Sequence, residues 1–120
     1  MLLLTSTAYA VDSWRYAVTV LRVVDGDTIE ASIEMGLGMT RKAKIRLLGY
    51  NAPELRQPGG LEAKQYLDTM LSSTLCTDLD AVTTRGKEFD SFGRVLASLH
   101  CPGTEIADDM IRAGHGVKYP

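Results

Sequence analysis

Aromatic residues are scarce in this 120-residue chain, with one Trp, five Tyr and two Phe making 7% of the whole. Few of them fall in strand-like stretches, so a surface that binds bases mainly by stacking is poorly supplied. Positive charge is also wanting. Thirteen Lys and Arg stand against fifteen Asp and Glu, for a net charge of −2. Wholesale attraction to a polyanion is therefore unsupported, and any phosphate binding must come from a local cluster. No run approaches the ~20 apolar residues of a membrane helix. Repeats, low-complexity segments and a Gly-x₄-Gly-Lys-Ser/Thr phosphate loop are missing too. Cysteine is limited to Cys76 and Cys101.

What is present is ordinary for a soluble protein: 45% hydrophobic and 23% charged residues, enough for one core and too few residues for two. Met1–Ala10 is apolar and finishes on Ala8-Tyr9-Ala10, a small-x-small pattern that signal peptidases accept. It lacks a basic n-region and is short for an h-region. It reads as the remnant of a signal peptide ahead of a single domain over 11–120, and the expected location is secreted or periplasmic. The alternative is a loose terminus or a short extra strand.

The period of the pattern changes along the chain. Tyr16 to Val24 is valine-rich and ends at Asp25-Gly26, a strand running into a tight turn. Ile29, Ala31, Ile33 and Met35 then alternate with polar residues, which predicts a second strand with one buried face. After Gly36-Leu37-Gly38-Met39, a third strand places Ala43, Ile45 and Leu47 inward and Lys42, Lys44 and Arg46 outward. With Arg41 these form the one basic cluster, whose bland alternative is a solvated strand face.

From Gly60, the apolar stripe Ala63, Tyr66, Leu67, Met70 and Leu71 has helical spacing, and the helix is expected to stop near Ser72 or Ser73. Cys76 to Thr84 and Arg94 to His100 return to strand composition across the charged loop Arg85 to Gly93. Thr104 can N-cap a last helix with Ile106, Met110, Ile111 and Ala113 inward and Gly114 as its stop. Five short strands with an inserted helix suit a small barrel of OB-fold type, mainly β with two packed helices.

If 76–84 and 94–101 form a hairpin, the two cysteines fall nearly opposite each other. A disulfide there would contribute about 3 kcal/mol. Two separate half-buried thiols are equally compatible with the spacing. A zinc site from Cys76, His100, Cys101 and His115 lacks any Cys-x₂-Cys or His-x₃-His spacing.

Three segments stand out for chemistry: Asp25-Gly26-Asp27-Thr28, Arg46-Leu47-Leu48-Gly49-Tyr50-Asn51-Ala52-Pro53-Glu54, and Asp90-Ser91-Phe92-Gly93-Arg94. Taken alone, the first is a hairpin turn signal and the last an arginine at a hairpin base. Together, and in this order, they resemble the staphylococcal nuclease family. The resemblance runs from Tyr16 to near Lys118 and implies an OB-type five-stranded barrel with helices against it. It also implies a Ca²⁺-dependent phosphodiesterase acting on DNA and RNA.

By that resemblance, Arg46 and Arg94 grip the scissile phosphate and Glu54 is the general base. Asp27, Asn51 and the carbonyl of Ala52 would hold the calcium. The chemistry needs those residue types, because a carboxylate deprotonates water, arginine's fork pairs with phosphate oxygens, and hard cations take oxygen ligands. Asn51 departs from the family, which places a second aspartate there, so calcium affinity is expected to fall. The interval from Glu54 to Gly60 is short, which implies a trimmed loop. The expected partners are DNA and RNA, single strands preferred, with no membrane and a monomeric chain. The alternative function is an impaired OB-type module that binds single-stranded nucleic acid or a protein.

Overall fold

β1 (Ser13–Asp25), β2 (Thr28–Gly36) and β3 (Met39–Leu47) form an antiparallel meander in the computed structural model, which describes residues 12–120. The signal-like stretch Met1–Ala10 lies outside the described residues. The alternation read from the sequence buries Ile29, Ala31 and Ile33 of β2 and Ile45 and Leu47 of β3. On β1 a register shift between Val20 and Arg22 leaves Leu21 as an extra residue. The bulge changes the inward set from even to odd positions, so Val18 and Val23 both reach the core.

After β4 (Tyr50–Asn51) and α1 (Gly60–Leu71), β5 (Asp80–Thr84) pairs antiparallel with β1, and β6 (Val95–Cys101) pairs antiparallel with β5. β6 also runs parallel to β3, matching Ile45 with Val95 and Leu47 with Ala97. That last ladder closes a five-stranded barrel in the order β1-β2-β3-β6-β5, the OB-type architecture expected. β7 (Thr104–Glu105) extends the β6 edge, α2 (Ile106–Arg112) follows, and β8 (Val117–Lys118) pairs with β4. α1 packs against β1, with Ala63 and Leu67 fully buried.

The structure corrects several sequence expectations. The strand expected from Cys76 begins only at Asp80, because Thr74–Cys76 is a 3₁₀ turn. Cys76 and Cys101 are nevertheless disulfide-bonded, with Cα atoms 4.9 Å apart, the first reaching across from its turn rather than from an opposing strand position. Thr104 does not cap α2. Sheet pairing with Cys101 holds it in β7, its hydroxyl meets Asp109 at 3.1 Å, and Glu105 takes the N-cap position without a side-chain bond. Gly114 does end α2: at φ +82° it lets His115 and Gly114 donate back to Met110 and Ile111 in a Schellman turn. Met35, Tyr66 and Ala113 are exposed rather than inward. Met35 lies near the end of β2, Tyr66 stacks on His115 at 4.7 Å, and Ala113 follows the last turn of α2.

Candidate active site

The Asp25–Thr28 turn joining β1 to β2 lies against the segment that follows β3. Asp27 accepts a hydrogen bond from the Ala52 N–H at 3.0 Å through Oδ2, and the Asp27 carbonyl accepts from the Leu47 N–H at 2.8 Å. Gly26 is required here by space and not by a left-handed φ. A Cβ at this position would come within 2.6 Å of the Ala52 Cβ and 2.8 Å of the Ala63 Cβ. The fully buried Tyr50 locks the contact by donating its hydroxyl to the Gly26 carbonyl at 2.6 Å. Burial, and then the charge of Asp27, push the Tyr50 pKa well above the usual phenol value, so it remains a donor.

Arg46 turns back over this junction. Its guanidinium donates to the carbonyls of Leu47 and Tyr50, the latter at 3.2 Å, and to the side-chain oxygen of Asn51. Nη2 also lies 3.4 Å from Asp27 Oδ2. Arg46 therefore pairs with Asp27 and not with Glu54. Burial is the largest influence on Asp27 and raises its pKa; the Ala52 N–H and Arg46 pull the other way, and neighbouring Asp25 adds to the rise. The net upward shift means that burial, with Asp25, outweighs the Ala52 N–H and Arg46.

Arg94 stands where the loop 85–94 rejoins β6. Asp90 fixes it: Oδ2 accepts from the guanidinium at 2.6 Å, while Oδ1 accepts from the Phe92 and Arg94 N–H groups, both at 2.9 Å. Partial burial would raise the Asp90 pKa, but these bonds prevail and hold it below the usual carboxylate range. The Arg94 guanidinium also lies 5.6 Å from the ring centroid of Phe92, which is 83% exposed.

Arg46, Asn51, Asp90 and Arg94 line one open cleft of about 410 Å³, together with Tyr119. The cleft thus unites the two arginines and Asn51; Asp27 and Ala52 are not among its lining residues, and Asp27 meets it through Arg46. Glu54 is exposed three residues past Asn51 and is not among the cleft-lining residues. Its backbone is fixed in a tight turn, with its N–H on the Gln57 side chain at 3.0 Å and its carbonyl receiving the Gln57 N–H at 2.8 Å. A Cβ on Gly60 would overlap that carbonyl, so the short Glu54–Gly60 interval depends on glycine at the start of α1.

The basic cluster does not form one surface. Lys42 pairs with Glu30 at 3.4 Å, Arg41 lies over Phe89, and only Arg46 reaches the cleft. Sequence reasoning gave no role to Tyr50, Asp90 or Tyr119. Asp90 carried a signal in its four-residue spacing from Arg94, and Tyr50 in being the one aromatic inside the Arg46–Glu54 segment. Tyr119 carried none, because it reaches the cleft only through the β4–β8 pairing and its N–H on the Gly49 carbonyl at 3.2 Å.

An OB-type barrel bears two side-chain-anchored arginines at one cleft, beside an acidic turn, and arginine's fork is the donor type that pairs with phosphate oxygens. Residues 44–120 match the family described as staphylococcal nuclease homologue, and the chain belongs to it. It is 30% identical over 101 residues to an uncharacterized endonuclease of Escherichia coli, covering 83% of this chain and 59% of that protein. Over 77 residues it is 30% identical to the probable staphylococcal-like nuclease CAN3 of Oryza sativa subsp. japonica, covering 64% of this chain and 19% of the relative. A Bacillus anthracis protein is 32% identical over 104 residues, or 82% of this chain and 45% of its own length. The chain thus spans less than two thirds of the relatives it matches.

Proposed function

We propose that this chain is a metal-dependent nuclease domain that hydrolyses phosphodiesters of DNA and RNA, single strands preferentially. The observation that carries the reading is the shared cleft of Arg46 and Arg94, each held by a carboxylate, Asp27 in one case and Asp90 in the other. Arg94, held through Nε, presents its remaining donors, and Arg46 adds its fork once it leaves Asp27 and Asn51, so the two can grip the equatorial phosphoryl oxygens and offset the charge that grows there in the transition state. Glu54 takes the proton of the attacking water as its oxygen bonds to phosphorus. The opposite P–O bond then breaks, and the leaving alkoxide takes a proton from solvent, which gives a 3′-phosphate when that bond is to the 5′ oxygen.

The residues present suit a hard cation in donor type. Asp27 offers a carboxylate, Asn51 an amide oxygen and Ala52 a main-chain carbonyl. Among the described residues no group of three His, Cys, Asp or Glu side chains is placed to hold a metal, so the seat depends on neutral oxygens. Calcium bound there supplies phosphate polarisation and a lowered water pKa. Arg46 contacts both Asp27 and Asn51, so gripping a phosphate requires it to swing outward and frees those oxygens.

A second reading is favoured by the same contacts. With a neutral Asn51 and Arg46 engaged by Leu47, Tyr50, Asn51 and Asp27, the domain could bind single strands without cutting them. Incubating the protein with single-stranded DNA in Ca²⁺ and in EDTA, beside Glu54→Gln, separates the two. Cleavage that needs both Ca²⁺ and Glu54 supports the enzyme. Binding without cleavage supports the module, and undiminished cleavage in EDTA removes the metal assignment. The signal-like Met1–Ala10 is the ground for proposing a secreted or periplasmic location, a reading with which the Cys76–Cys101 disulfide is compatible.

A further inference from the structure

The inward ladder of the barrel does not finish in aliphatic side chains where β1 and β3 begin and β2 and β5 end. A separate cavity of about 240 Å³ opens there, lined by Tyr16, Ile33, Met35, Arg41, Thr83 and Phe89 among others. Two of these side chains have no hydrogen bond or ion pair among the described residues, the buried Thr83 and the exposed Arg41. Thr83 is only 4% exposed, yet its hydroxyl has no hydrogen-bond partner among the described residues. A valine would fill the same space without an orphaned polar atom, which is why such groups in a native fold call for an explanation. Arg41 is the second. It follows the inward parity of β3 opposite Ile33, lies 5.1 Å from the Phe89 ring centroid, and has no ion pair among the described residues. Glu88, on the same rim, directs its carboxylate to the Gly86 N–H instead.

A cavity lined by two aromatic residues, a buried threonine whose hydroxyl has no partner and an exposed arginine suits a ligand that is flat, polar along one edge and anionic. The volume lies below the roughly 300 Å³ at which drug-sized pockets begin, so it suits a single ring system. We propose that this end of the barrel is a second site, distinct from the Arg46–Arg94 cleft, that takes a nucleobase carrying a phosphate. The base lies between Tyr16 and Phe89, its edge meets Thr83 Oγ1, and its phosphate meets Arg41. The choice of a nucleotide over another aromatic anion rests on the nuclease reading. Phe89 belongs to the same loop as Arg94, so one strand contacting both sites would bridge that loop.

Trp14 is the chain's single tryptophan, half-exposed and paired with Thr83 across β1 and β5, so it reports on this site. The test titrates Glu54→Gln protein with adenosine 5′-monophosphate, adenosine and a short single-stranded oligodeoxyadenylate while following Trp14 fluorescence. A saturable change is expected with the monophosphate, and about tenfold weaker binding of adenosine because Arg41 loses its partner. In the same background, Thr83→Val should weaken the monophosphate about fivefold and Arg41→Gln about tenfold, whereas Arg94→Gln leaves it unchanged. Thr83→Val should also unfold no earlier than its parent, which separates lost binding from lost structure. Binding of the monophosphate identifies a free-nucleotide site, and an Arg41-dependent signal from the oligonucleotide alone identifies a strand subsite. Either supports the proposal. No saturable change with either ligand overturns it, as does unaltered affinity in both Thr83→Val and Arg41→Gln, or a monophosphate signal that disappears in Arg94→Gln. If the parent binds here but cleaves nothing, the nuclease reading fails and this site stands.

Discussion

The Tyr50 hydroxyl donates to the Gly26 carbonyl at 2.6 Å, and this buried bond, with the Ala52 N–H on Asp27 Oδ2, ties the acidic turn to the segment that carries Asn51 and Glu54. Tyr50→Phe keeps the ring and leaves the carbonyl unpaired in a buried place. The expected cost is about 1–2 kcal/mol in chemical denaturation. Because a small displacement of aligned groups is expensive in catalysis, cleavage should fall by at least about tenfold. Undiminished stability would show that solvent replaces the phenol.

Asn51→Asp adds the missing charge to the proposed metal seat. Calcium affinity by isothermal titration should tighten on the order of tenfold, since site charge sets affinity for hard cations. Cleavage should then reach half its maximum at correspondingly lower Ca²⁺. An affinity equal to that of the parent would remove Asn51 from the ligand set.

Asp27 has a raised pKa in the fold, from a usual 3.8. A carboxyl with a raised folded pKa favours the fold below its unfolded value, and that contribution is lost as pH rises through the folded value. At neutral pH its charge therefore opposes folding. Asp27→Asn should raise the denaturation midpoint at neutral pH, and the gain should shrink towards zero as pH falls below 3.8. The same variant should lose its response to Ca²⁺. A destabilised variant at neutral pH would show that the Arg46 pair outweighs burial.

Asp90 behaves in the opposite sense. Its pKa is lowered, so its hold on the loop is present above the usual 3.8 and disappears as pH falls through the still lower folded value. Amide exchange at Phe92 and Arg94 should lose protection over that acid window. Asp90→Asn should show weakened protection already at neutral pH, with phosphate binding by Arg94 impaired. Equal protection at all pH values would assign the order of the loop to the Phe89–Val95 bridge instead.

The Cys76–Cys101 bond closes a 25-residue separation that spans β5 and most of β6. Reduction, or a Cys76→Ser/Cys101→Ser double variant, should cost about 3 kcal/mol on the loop-entropy estimate. Asp90 and Arg94 lie within this loop but are held by their own hydrogen bonds, so phosphate binding by folded protein should persist. A loss of binding at full folding would show that the bond shapes the cleft as well.

Much of the barrel was legible in the chain because period-two burial is a local property. The alternation in β2 and β3 and the helical stripe from Ala63 to Leu67 could be read without knowing what they pack against. Leu21 was not legible, since a bulge arises from pairing with β2 and not from the residues of β1 alone. The disulfide was open on spacing, because Cys76 meets Cys101 from a 3₁₀ turn that composition does not announce. The cation cluster misled for a related reason: Arg41, Lys42 and Arg46 are neighbours in sequence but take different partners.

The sequence by itself determined the family, the five barrel strands and two helices in outline, and which residue types are present for phosphate chemistry, since these follow from side-chain identity and local period, whereas the short strands β4, β7 and β8 came only from pairing. Tertiary structure alone decided that Arg46 rests on Asp27 and Asn51, that Asp90 aims Arg94, and that the C-terminal Tyr119 joins their cleft. The Asn51 and Asp90 contacts are local in the chain, but Asp27 meets Arg46 only through the β2–β3 pairing, and the closing of β3 against β6 and of β4 against β8 brings both arginines and Tyr119 to one cleft.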